Sequence, residues 1–188
     1  MRYKYETRGI VLSRMPSGEA NTFVTIITSE LGLVRARAQS VRRSGAKLAA
    51  ALATFAESSL VLVRGKEDWR IAGAVLEENW FMPMGHSARL SASRVSGLLL
   101  RLVASEAHDP ELFPLIAGFF NALSKIPEDA HEAAEALAVL RMLSALGFDA
   151  GEIPGALSEF TPTALAEAGS ARADYVARIN RGIAASGL

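Results

Sequence analysis

Cysteine is absent from the 188 residues of this chain, and so is any long run of apolar residues. Without cysteine there is no disulfide framework and no thiolate-ligated zinc site, which fits a reducing, cytoplasmic environment. The longest apolar candidate, Leu98–Val103, is interrupted by Arg101 and falls far short of the roughly 20 residues that a membrane-spanning helix needs. The N-terminal residues MRYKYETRGI lack the apolar core of a signal peptide. These absences argue against a secreted or membrane-spanning protein.

Common enzyme signatures are absent as well. The sequence has no phosphate-binding glycine loop followed by Lys-Ser/Thr, no dinucleotide-binding glycine pattern and no Gly-x-Ser-x-Gly elbow. His131–Glu135 resembles the helical zinc-protease motif, but Glu135 occupies the position of the second histidine, so we interpret His131 as a surface residue. His86 and His108 are isolated. The sequence therefore predicts a protein that is not an enzyme and that needs no cofactor or metal.

Positive and negative charges balance over the whole chain but not within its halves. Residues 1–75 carry 12 Lys and Arg against 6 Asp and Glu, whereas residues 76–188 carry 8 against 14. Clustered positive charge is typical of a surface that binds a polyanion such as nucleic acid. An uneven division by chance is the alternative.

The N-terminal 76 residues alternate between β-branched or aromatic runs and turn residues. This pattern predicts five strands: Thr7–Ser13, Thr22–Thr28, Leu33–Val41, Ser58–Arg64 and Trp69–Leu76. Lys47–Phe55 is rich in Ala and Leu, which favours a short helix between the third and fourth strands. Five strands with a helix at that point form the layout of a small closed Greek-key barrel.

The sequence after about Pro83 has helical periodicity. Its predicted helices are Ser87–Ala107, Asp109–Lys125, Glu128–Leu146, Thr161–Ala168 and Ala171–Ile183. The candidate core residues include Leu90, Val95 and Leu99 in the first of these helices, and Leu137, Leu140, Met142, Leu143 and Leu146 in the third. We therefore predict a helical domain after a linker near Asn79–Pro83.

The strongest binding signal is a basic cluster in the third strand and the loop that follows it. The predicted DNA-binding residues are Arg14, Arg35, Arg37, Arg42, Arg43, Lys47, Trp69 and Arg70. Guanidinium groups match phosphate oxygens, and fixed cations replace the counterions of a nucleic-acid backbone. Trp69 and Phe23 are candidates for stacking on bases.

Each of these interpretations has a structural alternative. The alternative for the arginines is a solvated strand edge that is kept charged against aggregation. Phe23 and Trp69 are alternatively core residues. In the helical part, Arg101 and Arg141 flank leucine-rich faces that suit the acidic, hydrophobic tail of a partner protein, although such leucines also serve simply as core.

Several stretches resemble the bacterial DNA repair RecO family. They are Thr7–Arg14, Gly18–Asn21, Thr28–Arg35, Ala36–Arg43, Leu60–Gly65 with Trp69–Ile71, and the helix Val139–Phe148 with its Leu-Gly-aromatic ending. The resemblance covers the first 80 residues closely and the helical part loosely.

The resemblance implies an OB-fold barrel followed by a helical domain. It further implies binding of single- and double-stranded DNA, strand annealing and recombinase loading, with a RecR-like partner and the C-terminal tail of single-strand-binding protein. Relatives that carry a four-cysteine zinc site have it after the Leu-Gly-aromatic turn, where this chain has Asp149–Pro154. No zinc is therefore expected, and the C-terminal end looks shorter than in the family.

Together these features predict an α+β protein with an N-terminal five-stranded OB-fold barrel (residues 1–80) and an all-helical domain (residues 81–188). The expected function is that of a cytoplasmic, nucleoid-associated recombination and repair mediator. The alternative is a protein-interaction adaptor whose barrel binds an acidic protein instead of DNA, because one fold hosts many functions.

Overall fold

The computed structural model describes residues 3–17, 21–39, 45–66, 68–103 and 109–188. Its strands are β1 (Lys4–Ser17), β2 (Asn21–Thr28), β3 (Gly32–Gln39), β4 (Ala56–Arg64) and β5 (Trp69–Asn79). Its helices are α1 (Gly45–Ala51), α2 (His86–Leu102), α3 (Leu112–Leu123), α4 (His131–Ala145), α5 (Pro162–Ser170) and α6 (Arg172–Ala185), with a single 3-10 turn at Glu128–Ala130. The predicted α+β class is confirmed, although β1 and β5 are longer than the sequence pattern indicated.

The chain divides into two compact units. The barrel unit comprises Met1–Met82 with Ser105–Phe113, and the helical unit comprises Pro83–Ala104 with Pro114–Leu188. The division predicted from the sequence is simpler, because it assigns everything after residue 80 to the helical domain. No helix in the described ranges is long and apolar enough to cross a bilayer.

The five strands close into a barrel in the order β1-β2-β3-β5-β4, which is the order of an OB fold. Long β1 closes it by pairing along one part of its length with β2 and along another with β4. All neighbours are antiparallel except β3 and β5, which run parallel and join through Ala36↔Trp69 and Arg37↔Arg70. This parallel pair places the basic part of β3 beside the start of β5.

Gly9 lies in the part of β1 that pairs with both neighbouring strands. It pairs with Thr28 of β2 and also with Ser58 of β4. A Cβ at this position would lie 2.6 Å from Cγ2 of Ile26 and 2.9 Å from Cδ1 of Leu60. Only glycine therefore lets β1 pass this closely over the barrel core.

The barrel core consists of the inward-facing residues of all five strands. Its buried members are Val11, Val24, Ile26, Val34, Ala36, Ala38, Leu60, Leu62 and Trp69, together with Leu52 from the turn that follows α1. In the sequence of β3, Val34, Ala36 and Ala38 alternate with Arg35, Arg37 and Gln39, which predicts that the apolar set faces inward. Val34, Ala36 and Ala38 are indeed buried. The opposite face of β3 is consequently the outer surface of the barrel, although Leu33 on that face is also buried.

Helix α4 is the centre of the helical unit, where it packs against α2, α5 and α6. The predicted core residues Leu137, Leu140, Met142 and Leu143 are fully buried, because a helix covered on several sides is apolar around most of its circumference. Leu146 is only partly buried. In α2, Val95 and Leu99 are buried as predicted, but the prediction for Leu90 is wrong, since its side chain is 46% exposed.

Two buried arginines hold the irregular segment 149–160 of the helical unit. Arg141 on α4 donates to the backbone oxygens of Pro154, Leu157 and Glu159 at 2.6 to 3.0 Å. Arg178 on α6 donates to the Asp149 carboxylate at 2.5 and 3.1 Å and to the backbone oxygen of Glu152 at 2.9 Å. Carbonyl groups in a segment without regular structure need such donors when they are buried.

Acid is expected to destabilise the helical unit through Asp149. Hydrogen bonds from the Arg178 guanidinium hold the pKa of this carboxyl below its usual value. The ionised pair therefore contributes stability that is fully present above about pH 4, the pKa of an unfolded aspartate, and is lost as the pH falls toward the lower folded-state pKa. Asp149→Asn should lower the melting temperature by about 5 °C at pH 7, and this difference should shrink at pH 3.

Thermal unfolding followed by circular dichroism at both pH values measures the effect of Asp149. Glu152→Gln is the matched control, because the Glu152 side chain is exposed and only its backbone oxygen bonds to Arg178. An Asp149→Asn melting temperature equal to that of the wild type at pH 7 would contradict the assignment.

Candidate nucleic-acid interface

A row of outward-facing side chains crosses the barrel from strand to strand. Residues directly opposite each other in a ladder share one face of the sheet, and the pairing connects Lys4 to Val63, Val63 to Arg70, Arg70 to Arg37 and Arg37 to Phe23. We call these five residues the cationic row. Neighbouring strands lie roughly 4.8 Å apart, so Arg37 and Arg70 stand side by side.

Three arginines in and beside this row have no carboxylate partner within the described part of the chain. They are Arg35, Arg37 and Arg70. Arg70 donates from Nη2 to the amide oxygen of Gln39 at 3.1 Å, and the buried Nε of Arg37 has no hydrogen-bond partner among the described residues. Positive charge is therefore presented to an external anion.

Phe23 and Arg35 form a stacked pair next to the cationic row. The Cζ atom of Arg35 lies 4.5 Å from the centre of the Phe23 ring, which is a cation–π contact. Phe23 is half-buried on the outer face and is not part of the buried core cluster. The pair provides a flat surface with positive charge, which is the combination that single-stranded nucleic acid binds.

The prediction that Trp69 stacks on bases is wrong. Its side chain is only 7% exposed and belongs to the barrel core. Tyr5 covers the ring edge-on at a centroid distance of 5.1 Å, and the Arg64 guanidinium lies 4.9 Å from its centre. Because successive residues of a strand face opposite sides, Arg70 lies outside when Trp69 lies inside. That alternation is the sequence signal that could have excluded Trp69.

Arg14 is exposed but does not join the cationic row. It pairs with Val24, whose side chain lies in the core, whereas the next residue, Met15, pairs with outward-facing Phe23. A bulge between Val11 and Ser13 sets this register. Arg14 therefore lies on the other face of β1, near the end of the strand.

Three of the predicted DNA-binding residues are not covered by the structural description. Arg42 and Arg43 lie outside the described residues. Lys47 belongs to the first turn of α1, but its side chain is not among those described. Their role remains a prediction from the sequence.

The structure adds cations that sequence reasoning missed. Lys4 lies in β1, which was expected to begin only at Thr7, and it reaches the row through the pairing with β4. Arg64 is the last residue of β4, and Lys66 follows it after Gly65. With Arg37 and Arg70 they line one hollow of about 400 Å³. The sequence did contain a signal for these cations, because Arg64, Lys66 and Arg70 lie close together where the two hairpin strands meet.

The two arginines predicted to bind a partner have different environments. Arg101 is exposed in the last turn of α2, so its proposed role is untested. The prediction for Arg141 is wrong, because its side chain is 2% exposed and bonded to three backbone oxygens. Burial also lowers the pKa of its guanidinium group. Arg141 is a structural residue of the helical unit.

The helical unit has an apolar groove of about 350 Å³ with charged edges. Its lining includes Leu98, Val139, Val176 and Ile179, and its edges carry the ion pairs Arg94–Glu135 and Arg172–Glu132. Arg101 does not line it. The arginines of this groove are thus already paired with carboxylates.

His131 is not the surface residue expected from the sequence. It is buried at the start of α4, and its Nδ1 lies 3.0 Å from the hydroxyl oxygen of Ser87. Its neighbours Glu132 and Glu135 pair with arginines. Within the described ranges, no group of three or more His, Asp and Glu is placed to hold a metal ion.

Comparisons with known proteins agree with the fold. The closed five-stranded barrel and the cationic row define a class of protein, namely an OB-fold barrel with a cationic outer face, followed in the sequence by helices. Residues 1–77 match the family model described as Recombination protein O N terminal. Residues 1–77 are therefore similar to the N-terminal domain of RecO proteins.

Curated relatives extend the similarity beyond the barrel. The chain is 28% identical to the DNA repair protein RecO of a Cyanothece species over 148 residues, which cover 78% of this chain and 50% of the relative. It is 36% identical to that of Acaryochloris marina over 116 residues, which cover 61% and 40%. An alignment of 148 residues must include part of the helical unit. The chain spans about half the length of the curated relatives it matches.

Proposed function

We propose that this chain is a DNA repair and recombination mediator that binds single-stranded DNA along the cationic row. The observation that carries the proposal is the alignment of Lys4, Arg70 and Arg37 across three strands, with no carboxylate among the described residues to neutralise Arg37 and Arg70. Such a track replaces the counterions of a phosphate backbone. The half-buried ring of Phe23 adds a surface on which a base stacks.

Strand annealing follows from the same chemistry and needs no covalent step. Two complementary strands repel each other through their phosphates, and cations fixed along the barrel lower this repulsion. Base edges are left free to pair, because the contacts are made to the backbone. We therefore propose a binding protein and not an enzyme, which acts on DNA in the nucleoid.

The partner proposals depend on the similarity to RecO proteins. We propose a RecR-like partner, the acidic tail of single-strand-binding protein and, through them, recombinase loading. The groove of the helical unit offers apolar walls for a tail, but its arginines are engaged with Glu132 and Glu135. Docking of an acidic tail there would have to displace these ion pairs.

Binding to single-stranded DNA is expected to weaken steeply with salt. If about four cations each neutralise one phosphate, the affinity should fall roughly 50-fold between 50 and 200 mM salt. Fluorescence anisotropy of a labelled oligonucleotide measures this dependence, and the rate of annealing of two complementary strands should fall in parallel. An affinity that hardly changes with salt would contradict a backbone-binding mechanism.

The adaptor alternative makes a different prediction for the same surface. If the row meets an acidic protein, the chain binds neither single-stranded nor duplex DNA, yet it retains an acidic protein partner during purification. A gel-shift comparison of single-stranded DNA, duplex DNA and RNA separates the two functions directly.

A further inference from the structure

A concave site lies at one end of the row, beside the β4–β5 hairpin. Four cationic side chains line this hollow of about 400 Å³: Arg37, Arg64, Lys66 and Arg70. The other lining residues, Val63 and Gly65, are uncharged, so the described lining contains no carboxylate. Arg37, Lys66 and Arg70 alone carry more positive charge than one singly charged phosphodiester would neutralise.

The backbone of the hairpin gives the hollow its shape. The amide of Gly65 donates to the backbone oxygen of Asp68 at 2.9 Å, and a Cβ on Gly65 would lie 2.5 Å from that oxygen. The turn is therefore tight, and it holds Lys66 next to the ends of both strands. The Arg64 guanidinium lies against the Trp69 ring on one side of the hollow.

Arg37 and Arg70 provide the donors that an anion would use. Their backbones are register partners, so the side chains are neighbours on one face. The Nε of Arg37 is shielded from solvent, and no residue that the structure describes accepts a hydrogen bond from it. A shielded donor is stabilised when an acceptor reaches it. The amide oxygen of Gln39 orients Arg70.

We propose that this hollow binds a phosphate monoester, namely the terminal phosphate of a DNA strand. A monoester carries nearly two negative charges at neutral pH and three unesterified oxygens, whereas a phosphate inside the strand carries one charge and two such oxygens. Guanidinium groups bind these oxygens in pairs. The inference rests on the proposed function, and it adds that the barrel recognises where a strand ends.

The test compares oligonucleotides of one sequence that differ only at one terminus. Anisotropy is measured with the full chain for 5′-phosphate against 5′-hydroxyl strands labelled at the 3′ end, and for 3′-phosphate against 3′-hydroxyl strands labelled at the 5′ end. At least one phosphorylated strand should bind about tenfold more tightly than its hydroxyl counterpart. Equal affinities at both ends would overturn the inference.

Two variants locate the preference. Arg70→Gln should reduce the ratio of the affinity for the phosphorylated strand to the affinity for the hydroxyl strand to near one. Arg35→Gln is the matched control, because Arg35 lies on β3 but does not line the hollow. Arg35→Gln should weaken the binding of both strands alike and leave the ratio of their affinities unchanged. If the Arg70→Gln variant still bound the phosphorylated strand about tenfold more tightly, the assignment of the hollow as the phosphate site would also be overturned.

Free nucleotides are the second source of the same chemical group. Calorimetric titration with deoxyadenosine 5′-monophosphate distinguishes a free nucleotide from a strand end. If the nucleotide binds as tightly as the phosphorylated strand, the hollow is a phosphate monoester site whose ligand is a nucleotide. Much weaker binding supports a strand end. If neither the phosphorylated nor the hydroxyl strand binds, the proposed DNA-binding function itself has failed, which is a different result from equal binding.

Discussion

Replacement of Arg35 and Arg37 together by glutamate is expected to weaken binding of single-stranded DNA by about 100-fold. Both residues lie on the outer face of β3, and neither pairs with a carboxylate in the described part of the chain. The double variant removes two charge-assisted contacts and places two negative charges against the phosphate backbone. The salt dependence of the remaining affinity should also become shallower by about one unit of slope for each lost contact.

A matched double variant separates this local effect from a change in total charge. Arg101→Glu with Lys125→Glu changes the net charge equally, but both side chains are exposed in the helical unit. This control should retain most of the affinity. If both double variants lost affinity equally, or if neither did while the circular dichroism spectrum stayed native, the cationic row would not be the DNA site.

Replacement of Arg141 by methionine is expected to have the largest effect on stability. Methionine fills a similar volume but leaves the backbone oxygens of Pro154, Leu157 and Glu159 without their donor. Loss of these bonds to a buried group should cost about 4 kcal/mol. This corresponds to a fall of about 10 °C in the melting temperature of a chain of this size.

The control for Arg141 is another arginine of the helical unit. Arg181 on α6 is exposed, so Arg181→Met should change the melting temperature by no more than about 1 °C. DNA affinity measured well below the melting temperature should be unaffected by Arg141→Met. A normal melting temperature together with weaker partner binding would restore Arg141 to the role that the sequence suggested.

Much of the barrel could be predicted because its signals are local. Alternation of apolar and basic residues in β3 predicted which face of that strand is buried, and Val34, Ala36 and Ala38 are indeed in the core. Helical periodicity likewise identified the buried residues of α4. Leu90 escaped this reasoning, because periodicity identifies an apolar side chain but not whether a neighbouring element covers it.

The binding surface depended on information that the sequence pattern does not contain. Arg37 and Arg70 are 33 positions apart, and only the parallel pairing of β3 with β5 makes them neighbours. The bulge in β1 sets the register that places Arg14 opposite Val24, on the other face of the strand from the row. Closure of the barrel placed Trp69 inside, although the alternation with Arg70 already indicated that both could not face the same ligand.

The sequence by itself determined the strand and helix order, the positive charge of the N-terminal half and the polarity of β3, since these follow from the order of side chains along one segment. Only the tertiary structure decided which cations share a surface, that Arg141 is buried and that a hollow forms at the hairpin. The physical reason is that register, bulges and chain closure bring distant segments together. A side chain's exposure and its partners therefore depend on residues far away in the sequence.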